Sequence, residues 1–272
     1  MNSCKRLFVA ATRQNDGKST ICLGLLQVLR KKYSRVGFIK PVGQHYIEEE
    51  GVKVDEDVIL MRKVCGISDN LKDMNPIAVT KGFTERYIRE GRLEKYIKMI
   101  RDSYDRISAN KDLVLIEGTG HAGVGAVFDL SNASVAKLLE SKVLLISTGG
   151  IGRPIDEIVM NKALFDQEKV EIMGVVINKI LPEKYEKIRE VTGIGLQRKG
   201  IRLLGTIPFQ KNLTYPTMEQ IMEATGAKVL YGEKFLQRKV VKILVTAMEP
   251  HLSLIHISEP TRPLYISYAV FC

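Results

Sequence analysis

The sequence predicts a doubly wound α/β fold, in which a mostly parallel sheet is flanked by helices. Short runs rich in Val, Ile and Leu alternate along the chain with longer amphipathic segments. The short runs are almost continuously apolar, which is typical of strands buried on both faces of a parallel sheet. Alternation of strands and helices on this scale implies right-handed crossover connections.

Each element of this fold follows from a local pattern. Apolar runs predict six strands, at 7–11, 36–39, 113–116, 143–147, 173–177 and 203–207. Amphipathic periodicity predicts five helices, at about 18–32, 84–108, 133–139, 154–167 and 183–192. Pro154 suits the first turn of its helix, because the N–H that proline lacks would have had no partner there.

The segment TRQNDGKS, from Thr12 to Ser19, joins the first predicted strand to the first predicted helix. A tight turn at Gly17 and the N-terminus of the following helix direct backbone N–H groups and a positive dipole end at one point. This context predicts a phosphate-binding loop, in which Lys18 reaches the terminal phosphates and the Ser19 hydroxyl ligates Mg²⁺. The first position holds threonine where glycine is usual. An ordinary turn and helix cap at Asp16 is the alternative.

Polar residues end or follow three of the predicted strands. Lys40 follows the second strand, Glu117 ends the third, and Asn178 ends a later one. In a doubly wound sheet the ligand lies at the carboxyl ends of the strands, so these side chains share a rim with the loop. Glu117 can hold Mg²⁺ or its water, and Lys40 can neutralise phosphate oxygens or a developing charge. For each residue taken alone, a solvated strand end is the alternative.

Three acidic residues, Asp55, Glu56 and Asp57, precede an apolar segment that is typical of a helix start. Acidic residues in a first turn favour the helix dipole, so capping is one interpretation. A metal-binding role for Asp57 is the other. His121 lies in a glycine-rich segment, where it either contacts substrate or phosphate or has no role.

Composition favours a soluble, enzyme-sized protein. The net charge of +10 is spread over 272 residues, without tryptophan and without a basic run interleaved with aromatics. This distribution argues against a nucleic-acid partner and favours phosphorylated ligands. Cys4, Cys22, Cys65 and Cys272 lack metal-like or paired spacing, which fits the reduced thiols of a cytoplasmic protein. No apolar stretch is long enough to span a bilayer, and the N-terminus leads into a strand rather than a signal peptide.

The end of the chain has a different character. Residues 252–262, LSLIHISEPTR, resemble the translation of a DNA-sequencing adapter, and residues 266–272 resemble its distal part. We therefore expect 252–272 to be a sequencing artefact that carries no weight for the fold. A genuine C-terminal strand and turn is the alternative.

Several motifs together resemble the dethiobiotin synthetase branch of P-loop NTPases, which includes cobyrinic acid a,c-diamide synthase. They are ATRQNDGKS at 11–19, KPV at 40–42, EGTG at 117–120, Asn178 and LGTIP at 204–208. Four longer segments are more similar to the N-terminal region of long-form phosphate acetyltransferases and to stand-alone ATPase relatives. These are GFIKPVGQ at 37–44, GHAGVG at 120–125, FDLSNA at 128–133 and GGIGRPID at 149–156.

The resemblance also implies a domain organisation. It covers about residues 5–225, and residues 226–248 resemble the opening of a small domain named for an Asp-Arg-Thr-Gly-Gly motif. We expect a P-loop domain at 1–225, followed by the truncated start of a DRTGG-like domain at 226–251.

ATP and Mg²⁺ are the cofactors that the resemblance implies. By position, Lys18 and Lys40 contact phosphates and act in catalysis, while Ser19, Asp57 and Glu117 surround Mg²⁺. The residues expected to contact the nucleotide are Thr12, Arg13, Asn15, Asp16, Gly17, Lys18, Ser19, Thr20 and Asn178.

Other positions bear on specificity. Asn178 resembles the base-reading asparagine of P-loop proteins, and Leu181 stands where guanine-specific relatives carry Asp, so adenine is expected. Residues 43–46, GQHY, replace the small serine-containing stretch expected around a diamine substrate, which argues against biotin synthesis. Arg13 falls where partition-type ATPases carry a second lysine that reaches across a dimer. Solvent exposure is the alternative for that arginine.

Three functions remain open at this point. The chain hydrolyses ATP or uses it to activate an unknown acceptor, it senses a nucleotide and regulates a partner, or it keeps the fold without turnover. The sensing alternative includes an N-terminal regulatory fragment of a phosphate acetyltransferase. The active alternative includes a dethiobiotin or cobyrinate-type ligase. A nucleotide, a second copy of the chain in a homodimer, and an attached or separate acyltransferase are the partners considered.

Overall fold

The computed structural model describes residues 4–241, 244–246 and 269–271. The chain forms two compact units, at 1–209 and 210–272. The boundary predicted at residue 225 was drawn from the resemblance, and it remains a prediction. The first unit contains all six strands of the central sheet.

The first unit alternates strands and helices. Its strands are β1 (Lys5–Ala11), β2 (Val36–Ile39), β3 (Val42–Gly43), β4 (Tyr46–Glu49), β5 (Val52–Asp55), β6 (Ile77–Ala78), β7 (Leu113–Glu117), β8 (Lys142–Thr148), β9 (Ile172–Ile180) and β10 (Leu203–Pro208). Its helices are α1 (Lys18–Leu29), α2 (Glu56–Cys65), α3 (Leu71–Met74), α4 (Phe83–Glu90), α5 (Leu93–Ser108), α6 (Asn132–Leu138), α7 (Gly152–Gln167) and α8 (Tyr185–Arg198).

The central sheet has the strand order β10-β9-β8-β1-β7-β2, and every adjacent pair is parallel. The six strands predicted from the sequence are the six strands of this sheet, and the predicted α/β class is confirmed. The order reverses at β1, which lies between β7 and β8, so the carboxyl end of β1 is the switch point where ligands bind in such sheets.

Helices cover both faces of the sheet, which explains why its strands are apolar on both sides. In the first unit, α1 contacts β1 and β7, α5 contacts β2 and β7, and α7 contacts β8. The largest fully buried side chains include Phe8, Phe38, Leu115, Ile146 and Phe165. Each such side chain contributes about 1.5–3 kcal/mol on burial. The core fixes the positions of the strands, and thereby of Lys40, Glu117 and Asn178 at or next to their carboxyl ends.

The single helix predicted at 84–108 is wrong, because the structure has two helices there. The first ends at Glu90, and Gly91 adopts the left-handed conformation with φ 59° and donates its N–H to Tyr87 O. A glycine in this conformation terminates a helix without steric cost. The amphipathic pattern continues on both sides of Gly91, so periodicity alone does not reveal the break.

A hairpin between β2 and α2 was not predicted. Strands β4 and β5 pair antiparallel around the two-residue turn Glu50–Gly51, whose residues have φ of 52° and 70°. Positive φ at both positions is the signature of a type I′ turn. The hairpin brings Asp55, its last residue, to the start of α2.

The second unit contains α9 (Met218–Thr225), which begins with a reciprocal capping box between Thr217 and Gln220. It also contains β11 (Leu244–Thr246) and β12 (Ala269–Phe271), which pair antiparallel. The predicted adapter-derived segment at 252–272 lies outside the described residues except for β12.

Among the described helices, none combines the length and apolar character needed to cross a membrane.

Candidate nucleotide site

The loop between β1 and α1 ends at Gly17, which has φ 96° and precedes the first residue of α1. A Cβ at this glycine would collide with the side-chain amide of Asn178, so both the backbone conformation and the space require glycine. Within residues 4–241, no side chain caps α1. The first-turn N–H groups, which have no intrahelical partner, are therefore available to an anion.

Two buried residues of the loop fix its shape. Thr12 Oγ1 donates to Asp16 Oδ2 at 2.8 Å and lies 3.0 Å from Ser147 Oγ. Asp16 Oδ2 also accepts the backbone N–H of Arg13 at 2.9 Å. Threonine can occupy the first position because its hydroxyl is used in this internal network.

Side chains near the ends of β8 and β9, and one from α7, also contact the loop. Asn178 Nδ2 donates to Asp16 O at 2.9 Å, and Lys179 Nζ donates to Asn15 O at 2.6 Å. The Arg13 guanidinium lies 3.0 Å from Glu157 Oε2 and donates to Thr148 Oγ1 at 2.8 Å. Arg13 is therefore engaged with its own chain on one side.

A cavity of about 580 Å³ opens beside the loop. Its lining residues are Gln14, Asn15, Gly17, Lys18, Ser19, Thr20, Lys40, Gln44, His45, Asp55, Glu56, Asp57, Glu117, Gly118, Thr119, Gly120 and Lys179. The predicted site residues at 15, 17–20, 40, 57 and 117 thus converge on one cavity. The other four predicted nucleotide-binding residues do not line the cavity. Thr12, Arg13 and Asp16 form hydrogen bonds within the loop, and Asn178 donates one to it.

Glu117 is a fully buried carboxylate in the wall of this cavity. Its Oε1 accepts a hydrogen bond from Ser19 Oγ at 2.9 Å, and its Oε2 has no hydrogen-bond partner among the described residues. Burial raises the pKa of Glu117 to about 7, and the negative charge of Asp57 adds to the effect, although Lys40 opposes it. An unpaired buried carboxylate oxygen is costly unless a cation or donor satisfies it.

Lys40 lies among three carboxylates. Its Nζ is 2.7 Å from Asp55 Oδ1 and 3.9 Å from Glu117 Oε1, and it also donates to Asp57 Oδ2. Burial alone would lower the pKa of Lys40, but the three neighbouring carboxylates raise it. Lys40 is therefore a stable cation in a buried position.

Lys18 is the second buried cation of the cavity. Burial lowers the pKa of Lys18, Glu117 opposes that shift, and the charge of Lys40 reinforces it. Two ammonium groups close enough to influence each other are suited to a ligand that carries several negative charges.

Three oxygen-bearing side chains in the wall are of the kind that binds a magnesium ion. They are the Ser19 hydroxyl, the unpaired Oε2 of Glu117 and the carboxylate of Asp57. The described residues contain no cluster of three or more His, Cys, Asp or Glu side chains arranged to hold a metal. Mg²⁺ does not need one, since it usually takes one or two carboxylates and completes its shell with water and phosphate oxygens.

Sequence reasoning missed several cavity residues. For Asp55 the sequence indicates only a helix cap, and it indicates no role for the cavity residues Gln14, Gln44, His45 and Thr119. Gln14 Nε2 lies 3.3 Å from His45 Nε2, so the loop and the segment GQHY meet at this point. The departure of residues 43–46, GQHY, from the stretch expected around a diamine substrate is the sequence signal that marks Gln44 and His45. His121 is exposed and does not line the cavity.

Comparisons with known proteins identify a matching family model and related proteins. Residues 5–217 match the family model AAA_26, described as an AAA domain. A phosphate acetyltransferase of Pseudomonas putida is 28% identical over 257 residues, which cover 88% of this chain and 34% of the acetyltransferase. The chain thus spans about a third of the length of this relative. An ATP-dependent dethiobiotin synthetase of Nitrosopumilus maritimus is 24% identical over 223 residues, covering 80% of this chain and 95% of the synthetase.

A solved structure supports the fold. The crystal structure of a plasmid partition protein from Borrelia burgdorferi, bound to AMPPNP, aligns with a TM-score of 0.51 and 16% identity. The alignment covers 78% of this chain and 89% of the partition protein. At this identity the likeness concerns the fold alone.

Proposed function

Because the chain belongs to the dethiobiotin synthetase-like family of P-loop NTPases, we propose that it binds ATP with Mg²⁺ and hydrolyses it or uses it to activate an acceptor. The observation that carries the proposal is the pairing of Ser19 Oγ with Glu117 Oε1 at 2.9 Å, next to Lys18 in one cavity. A hydroxyl and a carboxylate beside a phosphate-binding lysine form the metal-and-phosphate arrangement of P-loop enzymes.

Each residue has a distinct role in this proposal. The N–H groups at the start of α1 and the Lys18 ammonium bind phosphate oxygens, and Lys40 neutralises charge on the terminal phosphate. Ser19, Asp57 and Glu117 hold Mg²⁺, which when bound neutralises phosphate charge. Catalysis then depends on positioning and charge neutralisation by these groups rather than on covalent chemistry of the protein.

The proposal extends to the base. Asn178 uses its Nδ2 to hold Asp16 O, which leaves its Oδ1 to accept from the exocyclic amine of adenine. The similarity to an ATP-dependent dethiobiotin synthetase supports the same nucleotide.

Phosphate release from ATP by the purified full chain, with and without Mg²⁺, tests the proposal. We expect Lys18→Ala to reduce release by at least about 100-fold, the effect of losing a group that stabilises developing charge. Lys137→Ala is the matched control, because Lys137 pairs with Glu168 on the surface. This variant should release phosphate as wild type does. Equal release by the Lys18 variant and wild type would refute the proposed role of the loop.

A second candidate function is nucleotide sensing. It is favoured by the match of 88% of this chain to 34% of a phosphate acetyltransferase, which is the pattern of a module in a larger enzyme. An acyltransferase, attached or separate, would then be the regulated partner, and a homodimer is one form that the module could take. Saturable ATP binding without phosphate release would favour this function over hydrolysis.

A further inference from the structure

Asp55 is a fully buried carboxylate at the junction of β5 and α2. Its Oδ1 accepts hydrogen bonds from the Lys40 ammonium at 2.7 Å and from the backbone N–H of Asp57 at 3.1 Å. Its Oδ2 accepts the backbone N–H groups of Gln44 and His45 at 2.9 and 3.2 Å. A single side chain therefore connects Lys40, the start of α2 and one wall of the cavity.

The side chain of Asn75 holds the backbones of Asp55 and Lys40 close together through uncharged groups. Asn75 Oδ1 accepts the N–H of Asp55 at 2.9 Å, and Asn75 Nδ2 donates to Lys40 O at 2.7 Å. Gly43 packs so closely that a Cβ there would lie 2.6 Å from the Cβ of Asp55. Asparagine at position 55 has the same shape without the negative charge, and with its oxygen towards Lys40 and Asp57 N its amide group would replace the oxygen that accepts Gln44 N and His45 N.

Helix capping explains only one of the four hydrogen bonds. An N-cap side chain needs to accept one N–H from the first turn, and asparagine or serine does this as well as aspartate. The bond to Asp57 N is that cap. The ammonium of Lys40 is the partner for which a charged acceptor matters, because buried charges require a paired and hydrogen-bonded counterion.

The carboxylates around Lys40 thus divide into two groups. Glu117 and Asp57 border the Ser19 hydroxyl, where the proposed metal binds, whereas both oxygens of Asp55 are occupied by four donors. We propose that Asp55 is a positioning residue that holds the Lys40 ammonium in place for the terminal phosphate, leaving Asp57 and Glu117 to the metal. This inference rests on the proposed function, since it requires a nucleoside triphosphate in the cavity.

The test compares the affinities of the full chain for AMPPNP and for ADP, measured calorimetrically with Mg²⁺ present. Wild type should bind AMPPNP more tightly than ADP, because only AMPPNP carries the terminal phosphate. Asp55→Asn should weaken AMPPNP binding about tenfold or more, the size expected for losing a hydrogen bond between charged groups. Its ADP affinity should stay within about twofold of wild type, since the contacts of Lys18 are retained.

Two further variants separate positioning from folding. Asn70→Ala removes the cap of α3, where Asn70 Oδ1 accepts Lys72 N, and it should lower stability while leaving both affinities unchanged. Asp55→Ser, which also caps but lacks charge, should behave as Asp55→Asn does and replaces it if the asparagine variant does not fold. An unchanged AMPPNP-to-ADP ratio in either position-55 variant would overturn the inference, as would equal affinities in wild type. Failure of wild type to bind either nucleotide would instead refute the proposed function.

Discussion

The side chains of Ser19 and Glu117 meet at 2.9 Å although 98 residues separate them in the chain. Ser19 lies in the first turn of α1, and Glu117 ends β7, which is paired with β1. The parallel pairing of these two strands brings a loop and a distant strand end to the same rim. The contact therefore joins the two halves of the proposed metal site.

Removal of the Ser19 hydroxyl should weaken the effect of Mg²⁺ on nucleotide affinity. In Ser19→Ala we expect the gain in ADP affinity that Mg²⁺ provides to shrink by at least about tenfold, because a proposed metal ligand is lost. Calorimetric titration with and without Mg²⁺ measures this gain. Ser108→Ala, which alters an exposed hydroxyl near the end of α5, is the control and should keep the gain of wild type. A Ser19 variant with the full gain would remove this residue from the metal site.

Two glycines of the same region should respond in opposite directions to alanine. Gly17→Ala should destabilise the protein by more than about 2 kcal/mol, because φ is 96° and Asn178 fills the space. Gly24→Ala should raise the free energy of unfolding by about 1 kcal/mol, because Gly24 is helical and no atom beyond its neighbours and its own helix backbone lies within 4 Å of the added Cβ. Urea unfolding measures both changes. Similar stabilities for the two variants would contradict the conformation assigned to the loop.

The strands and the loop could be predicted because their signals are local. A continuous apolar run such as 113–116 identifies a buried strand by itself, and the polar residue after it identifies the rim. The β4–β5 hairpin lacks such a signal, since its turn is Glu50–Gly51 rather than one of the Asn-Gly or Asp-Gly pairs that predict hairpins.

The environment of Asp55 could not be predicted for a different reason. Its cap interaction is local, but its contacts with Lys40 and with Asn75 cross 15 and 20 residues of chain. Contacts of this kind exist only once the hairpin and α3 are placed. The break at Gly91 was missed because a glycine within an amphipathic stretch costs only about 1 kcal/mol and does not by itself end a helix.

A buried asparagine in α7 should be important for stability. Asn161 Oδ1 accepts the N–H of Ala122 at 2.8 Å, and its Nδ2 donates to Thr12 O at 3.2 Å. Asn161→Ala should lower the free energy of unfolding by about 2–4 kcal/mol, because both backbone groups lose their partner in a buried place. Gln167→Ala, at the exposed end of the same helix, should change it by less than about 0.5 kcal/mol. If both variants lost the same free energy of unfolding in chemical denaturation, the proposed importance of the hydrogen bonds from Asn161 to Ala122 and Thr12 would be wrong.

The buried carboxylate should give the metal-free protein a characteristic pH dependence. The pKa of Glu117 is raised by burial from 4.5 to about 7, so the folded state holds the proton more tightly than the unfolded state. The free energy of unfolding of wild type should therefore fall, relative to Glu117→Gln, as the pH rises from 4.5 to 7, and stay level outside that range. Denaturation in EDTA across this range measures the difference. A difference that is constant with pH, or that rises, would contradict the buried state of Glu117.

Equilibrium titration of the full chain with ATP and Mg²⁺ shows whether the cavity binds the proposed nucleotide. We predict saturable binding to wild type and a loss of at least about tenfold in affinity for Lys18→Ala, since a charged hydrogen bond to phosphate is removed. The Lys137→Ala protein should bind as wild type does. Absence of ATP binding to folded wild type, or equal affinity in the Lys18 variant, would contradict the account.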